Sequence, residues 1–140
     1  MEVEFLILAD AAQAVNGKLY MLGGGWSTFH ASALPFAHQV GIAVGVRVPW
    51  QETNQVHRLE IALVTADGDS LIPPLQGELE MGRPPGLRPG SDQTVVMAIN
   101  ANLKFERAGR YEVQVRVQEQ LVKTVTFDIA PPPKAPPATQ

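Results

Sequence analysis

The sequence contains no cysteine in its 140 residues. Disulfide bonds, thiolate metal sites and cysteine nucleophiles are therefore excluded. A chain without disulfides suits a reducing compartment. A chain of this length corresponds to one ordinary domain, and it can bury a sizeable hydrophobic core without covalent cross-links.

An excess of basic residues is also lacking. Eleven lysines and arginines stand against fourteen aspartates and glutamates, which gives a formal net charge of −3. Proteins that bind nucleic-acid duplexes usually present a clustered basic face. The sequence therefore predicts that nucleic acid is not a partner.

Long hydrophobic runs are absent as well. No stretch approaches the roughly 20 apolar residues of a membrane-spanning helix. The start of the chain is acidic at Glu2 and Glu4, and its apolar run ends at Asp10. A secretory signal begins with basic residues and carries a longer apolar segment. We therefore expect a cytoplasmic protein with no membrane partner.

The sequence does contain a repeated alternation of apolar and polar residues. The alternating segments are residues 40–48, 59–63, 95–105, 111–117 and 124–129. A period of two with one polar face is typical of antiparallel strands that have one solvated side. No window predicts a convincing helix. About eight strands at this spacing predict an all-β fold, a two-sheet antiparallel β-sandwich.

Turn signals and the end of the chain refine this prediction. Asn16-Gly17 and Asp67-Gly68 are typical of tight hairpin turns. The last two strands, residues 109–117 and 121–129, resemble the closing hairpin of immunoglobulin-like sandwiches. In those domains a tyrosine near the start of the penultimate strand hydrogen-bonds back to the backbone at a corner. Tyr111 is placed to do this, which favours an immunoglobulin-like arrangement.

The composition divides the chain into two parts. Residues 1–130 carry the strand pattern and form the predicted sandwich domain. Residues 131–140 are a low-complexity segment rich in proline. Proline removes backbone donors and fixes φ, so we predict a disordered, extended tail. Such a tail is also a candidate docking segment for an aromatic groove on a partner.

Three consecutive glycines at residues 23–25 precede Trp26. A glycine run can let a phosphate approach backbone N–H groups. Phosphate-binding loops, however, lead into a helix and usually carry a lysine, whereas residues 27–29 are typical of a strand. The favoured interpretation is a bulge or crossover with Trp26 filling the core.

Metal and catalytic sites have little support in the sequence. Asp67 and Asp69 could offer carboxylates to calcium, but calcium takes six to eight oxygens and an Asp-Gly pair favours a turn. His30, His38 and His57 lack the close spacing of a zinc site, and we expect His57 to be solvated. No serine or cysteine lies in a nucleophile context. The sequence predicts no catalytic residue, no metal ligand and no cofactor.

Gly41, Ala43 and Gly45 share one face of a predicted strand. Glycine weakens a strand unless another group approaches it closely. This small, smooth face has two interpretations. Either an aromatic side chain from the neighbouring sheet or loop covers it, or it is a flat surface for a second subunit with Trp50 at its edge.

A long loop at residues 82–91 is rich in proline and glycine and carries Arg83 and Arg88. Long loops are more often functional than short ones. The two arginines could bind a carboxylate or phosphate, or they could simply keep the loop solvated. Together with Trp26 and Trp50, they are the predicted contacts to a ligand or partner.

The segments Leu-Ala-Asp-Ala-Ala at residues 8–12 and Asn-Gly-Lys-Leu-Tyr-Met-Leu-Gly-Gly-Gly-Trp at residues 16–26 resemble a family of small bacterial β-sandwich proteins of unknown function. Those proteins begin with an apolar strand that ends in Ala-Asp or Cys-Asp, followed by a Gly-Lys-Leu hairpin and a glycine-rich step. The resemblance is strongest over residues 5–26, and the sequence departs from the family pattern at residues 29–38 and in the long loop. It implies a β-sandwich in a bacterial protein, and it implies no activity, cofactor or partner.

Two functions of different classes follow from these features. The first is a non-enzymatic binding or assembly module, which would have a protein partner or form a homo-oligomer. The smooth strand face and the arginine-bearing loop motivate it. The alternative is a small-ligand or metal-binding β-sandwich, motivated by the triple glycine beside Trp26 and by the carboxylates of Asp10, Asp67 and Asp69.

Overall fold

The computed structural model describes residues 1–133, in which ten β-strands are joined by loops and one short 3-10 helix, Trp50–Glu52. The strands are β1 (Glu2–Ala9), β2 (Ala11–Val15), β3 (Lys18–Leu22), β4 (Thr28–His30), β5 (Phe36–Val48), β6 (Val56–Thr65), β7 (Leu75–Glu80), β8 (Gln93–Phe105), β9 (Gly109–Val117) and β10 (Gln120–Ala130). The prediction of an all-β fold is confirmed. Within residues 1–133 no helix has the length and apolar character needed to cross a membrane.

The strands form three sheets. One has the order β1-β5-β8, a second has the order β4-β10-β9-β6-β7 and curls into a half-barrel, and the third is the β2-β3 hairpin. All strand pairs are antiparallel except β4 with β10, which is parallel. The predicted count of about eight strands was too low. β4 has only three residues, too few to show alternation, and β3 is apolar on both of its faces.

One hydrophobic core joins the three-stranded and five-stranded sheets. From residue 40 onward the even-numbered residues of β5 face it, and each is at most 1% exposed: Val40, Ile42, Val44, Val46 and Val48. Phe105 and Phe127 are among the largest side chains buried there. Pro49 follows β5 directly, and because proline has no backbone donor, the ladder ends at this point.

The predicted corners and turns are present. The Tyr111 hydroxyl donates a hydrogen bond to the backbone carbonyl of Arg107, which confirms the predicted corner bond. Asn16 and Gly17 have φ values of 50° and 73° and form a two-residue turn between β2 and β3. At the second predicted turn, the N–H of Gly68 donates to the carbonyl of Thr65 at 2.9 Å.

The prediction that His57 is solvated is wrong. His57 is only 6% exposed. It lies opposite Leu79 in the β6-β7 pair and on the same face of β6 as the buried Leu59. Its Nε2 atom is 2.9 Å from the backbone carbonyl oxygen of Glu52. The inward alternation of β6 thus begins at His57, two residues before Leu59, the first apolar residue on that face.

The last strand ends just before the proline-rich segment. β10 ends at Ala130, and residues 131–133 carry no strand. The rest of the predicted tail, residues 134–140, lies outside the described residues, so the tail stays a prediction.

Candidate interaction surface

The outer face of the three-stranded sheet, which points away from the core, is covered. Gly41, Ala43 and Gly45 are all buried. A Cβ atom added at Gly45 would overlap the ring of Phe5, and one added at Gly41 would lie 3.0 Å from the backbone of Ala11. An aromatic ring does cover Gly45, but it belongs to β1, the adjacent strand of the same sheet, and not to the neighbouring sheet or a loop as predicted. Because the three residues are buried, this face does not offer the predicted flat surface for a second subunit. The glycines are there because β1 and β2 pack closely against this strand.

The β2-β3 hairpin is fixed to the outer face by one side chain, Asn100 of β8. The Asn100 amide nitrogen donates to the carbonyl of Ala12 at 2.7 Å, and its carbonyl oxygen accepts from the N–H of Ala12 at 3.0 Å. The side chain thus satisfies both backbone groups of Ala12, as a neighbouring strand would. Since Ala12 is only 4% exposed, these groups would otherwise be buried without partners.

The same contact shows which backbone groups of β3 are free. Ala12 directs its N–H and carbonyl away from β3, so Ala12 and Met21 form a pair without mutual hydrogen bonds. Met21, and Leu19 two residues earlier, therefore direct their N–H and carbonyl groups away from β2. Within residues 1–133 no strand pairs with this outer edge of β3. An open edge of this kind is a template for another strand.

Apolar side chains are exposed on the same hairpin. Of the eight exposed large hydrophobic residues in the described part of the chain, four belong to it and define the hairpin surface: Val15, Tyr20, Met21 and Leu22. Leu22 is 73% exposed and Tyr20 is 56% exposed. Single exposed apolar residues are ordinary, but a cluster is typical of interaction sites. The hairpin surface is therefore the candidate functional site.

A charged group of residues lies at the far end of the outer face. Arg47 pairs with Glu2 and lies 3.7 Å from carboxylate oxygens of Glu4 and Asp92. The hydrogen bond with Glu2, then its charge and those of the other two carboxylates, raise the pKa of Arg47 above its ordinary value. The guanidinium stays charged, so this end of the face is polar while the hairpin end is apolar.

The predicted contact residues Trp26 and Trp50 lie near opposite ends of β5. Trp26 is half-buried and meets the rings of Phe29 and Phe127 edge-on, with centroid distances of 5.8 and 5.7 Å. Phe29 in turn packs on Phe36, the first residue of β5, whereas Trp50 follows the end of that strand. Thirteen extended residues span roughly 40 Å. The two tryptophans therefore do not share a cleft.

Arg83 contacts Trp50, while Arg88 does not. The Arg83 guanidinium carbon lies 3.9 Å from the centroid of the Trp50 ring. Arg83 also donates to the Thr53 hydroxyl at 2.7 Å and to the Trp50 carbonyl at 3.0 Å. Arg88 is exposed in the loop between β7 and β8. Arg83 is thus engaged in fastening this loop to the 3-10 helix, which follows the cation–π and hydrogen-bonding preferences of arginine.

Asp67 lies in the turn after β6, and Asp69 directly follows that turn. The carbonyl of Asp69 accepts from the N–H of Thr65 at 2.8 Å, which closes the turn. Within residues 1–133, no three histidine, aspartate or glutamate residues are grouped so that they could hold a metal ion. The Asp-Gly turn signal accounts for these residues.

Sequence reasoning missed the hairpin surface, although a signal was present. Four of the five residues of β3 are apolar, so the strand lacks the alternation of a half-buried strand. An apolar strand next to a two-residue turn, with its outer edge unpaired, leaves apolar side chains exposed on at least one face. The signal was the absence of a polar face rather than any motif.

Comparisons with known proteins place the chain in a family without a known activity. No curated protein sequence matches the chain. Among solved structures, the alkylpurine DNA glycosylase AlkC of Pseudomonas fluorescens, bound to DNA containing an abasic site analog, is similar over 74% of this chain and 28% of its own, with 12% identity and a TM-score of 0.36. A likeness this weak carries no argument about fold or activity. A family model described as a family of unknown function (DUF6941) matches residues 4–130, and the chain belongs to that family.

Proposed function

We propose that this protein is a non-enzymatic assembly module in which the β3 edges of two copies pair to join their hairpins. The scaffold we propose is an immunoglobulin-like sandwich of the three-stranded and five-stranded sheets, with the hairpin as an added layer. The observation that carries the proposal is the open β3 edge, where free backbone groups coincide with the exposed hairpin surface. Backbone pairing would supply the hydrogen bonds, and the apolar side chains would supply burial.

The β3 edge is compatible with itself. If two β3 strands pair antiparallel about a two-fold axis at Tyr20, Leu19 of one copy lies opposite Met21 of the other. These are the residues whose N–H and carbonyl groups are free, so each such pair exchanges two hydrogen bonds and the interface gains four. The two Tyr20 side chains then face each other across the axis. Aromatic cross-strand pairs stabilise sheets by a few tenths to about 1 kcal/mol.

The charge pattern of β3 also permits this pairing. Lys18 is the only charged residue of the strand. In the symmetric register it lies opposite Leu22 of the second copy, so the two lysines sit at opposite ends of the interface. No like charges are brought together, and the aliphatic part of Lys18 can cover Leu22.

The hairpin surface is small, which sets the expected strength of the assembly. Stable interfaces bury about 1,200–2,000 Å² in total, and four partly exposed side chains per copy supply less than that. We therefore expect a concentration-dependent dimer in exchange with monomer.

Analytical ultracentrifugation of paired charge variants tests the proposal. Tyr20→Glu and Tyr20→Lys each place like charges opposite one another at the two-fold axis, and each alone should be monomeric. An equimolar mixture of the two should recover a dimer, because the opposed charges are then opposite in sign. Tyr20 is more than half exposed, so neither substitution should affect folding.

The matched control is Gln13→Glu. It places the same negative charge as Tyr20→Glu on the same face of the hairpin, but on β2, away from the open edge of β3. It should leave the association of the native chain unchanged. A native chain that is monomeric at all concentrations would contradict the proposal. So would dimerisation of the Tyr20 variants alone, or failure of their mixture to associate.

A further inference from the structure

A second feature of the fold is a gap in the inner face of β7. Cross-strand partners share a face, so the pairing of Leu59 with Gly77 and of Ile61 with Leu75 places both β7 residues on the core side. The inner face of β7 is therefore Leu75, Gly77 and Leu79. A Cβ atom added at Gly77 would meet no heavy atom within 4 Å. The glycine leaves unfilled space between two leucines.

This space is part of an apolar cleft of about 140 Å³ between the five-stranded and three-stranded sheets. Its wall on the three-stranded sheet is formed by Val44, Met97 and Ile99, and its opposite wall by residues of β6, β7 and β9. β7 and β8 are the last strands of their sheets on this side. Leu75 is 37% exposed and Gly77 is exposed, so the cleft opens to solvent beside β7.

We propose that this cleft is a binding site for a small, uncharged apolar molecule, either a single aromatic ring or a short branched hydrocarbon. An enclosed cavity of about 150 Å³ lined by aliphatic and aromatic side chains binds benzene, and the cleft, although open beside β7, has a similar size and an aliphatic lining. The aliphatic walls offer dispersion contacts and no hydrogen bonds, so water gains little by filling it. Met97 can adjust its shape to the ligand because its side chain is flexible and polarisable.

The lining also determines which ligands are excluded. Gln76 and Glu78 also border the cleft, but they alternate with Leu75 and Gly77 along β7, so their side chains lie on the opposite face of the strand. The side chains that face the cleft from both sheets are hydrocarbon or thioether groups. A carboxylate or ammonium group placed there would lose its hydration without gaining a partner, which is costly. The site therefore selects neutral ligands over charged ligands of the same size. This inference is independent of hairpin pairing, because the cleft and the β3 edge involve different strands.

An NMR titration of the native chain with benzene tests the inference. We expect saturable amide shifts confined to residues near 44, 59–61, 75–78, 97–99 and 115. The dissociation constant should be on the order of 1 mM, a strength that six heavy atoms can supply. Benzoate, the charged ligand of the same ring, should produce no such shifts. Shifts spread over the whole chain, equal binding of benzoate, or no saturable shifts would each overturn the proposal.

Two variants of the lining, with one control variant outside it, test whether benzene binds beside Gly77. Gly77→Val fills the gap and should weaken benzene binding at least tenfold, whereas Gly82→Val, in the loop outside the cleft, should leave it unchanged. Met97→Ala enlarges the cleft and should bind naphthalene at least tenfold more tightly than the native chain does. The Met97→Ala result keeps the test decisive if Gly77→Val does not fold. Unchanged benzene binding in Gly77→Val, or naphthalene binding no tighter in Met97→Ala than in the native chain, would refute the location of the site.

Discussion

Replacing Asn100 by leucine should release the hairpin from the rest of the fold. The substitution retains the approximate size of the side chain but removes both hydrogen bonds to Ala12. Each such bond contributes about 0.5–1.5 kcal/mol net, and a buried backbone group left unpaired costs about 1–3 kcal/mol. Lifting the hairpin would let water pair with these groups, but it would also expose Ala12 and uncover Gly41. The variant can either keep the hairpin in place with the Ala12 groups unpaired or lift the hairpin into water. Because it will take the less costly course, we expect the unfolding free energy to fall by about 2–3 kcal/mol.

Hydrogen exchange and chemical denaturation distinguish this effect from a general loss of stability. The Ala12 amide should exchange much faster in Asn100→Leu than in the native chain. The exchange rates of the core amides of β5 should change only as much as the change in global unfolding free energy requires. The control is Asn102→Leu, two residues along β8 on the same face, where the exposed side chain has no hydrogen bond to any described residue. The role given to Asn100 would be refuted by two results together: native-like protection of the Ala12 amide in Asn100→Leu, and an unfolding free energy within about 0.5 kcal/mol of that of the native chain.

Three further perturbations test the packing of the fold. Tyr111→Phe removes the corner hydrogen bond and should lower the unfolding free energy by about 1 kcal/mol in urea titrations, a value near zero being the contrary result. Gly45→Leu should destabilise the fold by about 1–3 kcal/mol because its side chain overlaps the Phe5 ring. Phe5→Ala should recover part of that loss in a double-mutant cycle, and strictly additive effects would contradict the overlap. Arg83→Met should lower the unfolding free energy by about 1–2 kcal/mol and change the tryptophan fluorescence, because it removes the contacts to Trp50 and Thr53. Arg88→Met should do neither, and equal effects of the two variants would contradict the assigned contacts.

Local patterns predicted the elements that depend on local physics. The even-numbered residues 40–48 of β5 are β-branched, so their burial followed from alternation alone. The Asn16-Gly17 turn followed from the ability of both residues to adopt positive φ, and the Tyr111 bond followed from its place at the start of β9. The position of His57 did not follow, because a polar residue type hid the inward register of its strand.

The interaction surface could not be predicted from such patterns because it depends on long-range contacts. The small face of β5 gave no indication of what covers it, and the Phe5 ring is brought there by pairing between residues 40 positions apart. The Asn100 contact to Ala12 joins residues separated by 88 positions. Whether the edge of β3 is open depends on which strands the rest of the chain places beside it. The gap at Gly77 likewise becomes visible only when the opposite sheet is in place.

Because the native chain has no cysteine, a single introduced thiol offers the most direct test of hairpin pairing. In the proposed register, Tyr20→Cys places two cysteines opposite each other in a pair without hydrogen bonds, with Cα atoms about 4.5 Å apart, a distance that a disulfide can span. Gln13→Cys lies one strand further from the axis in each copy, so its thiols would be about 14 Å apart at the 4.8 Å strand spacing. Under mild oxidation, the proposal predicts rapid formation of a disulfide-linked dimer by Tyr20→Cys and little by Gln13→Cys. Equal cross-linking of the two variants, or none by Tyr20→Cys, would contradict pairing through the β3 edge.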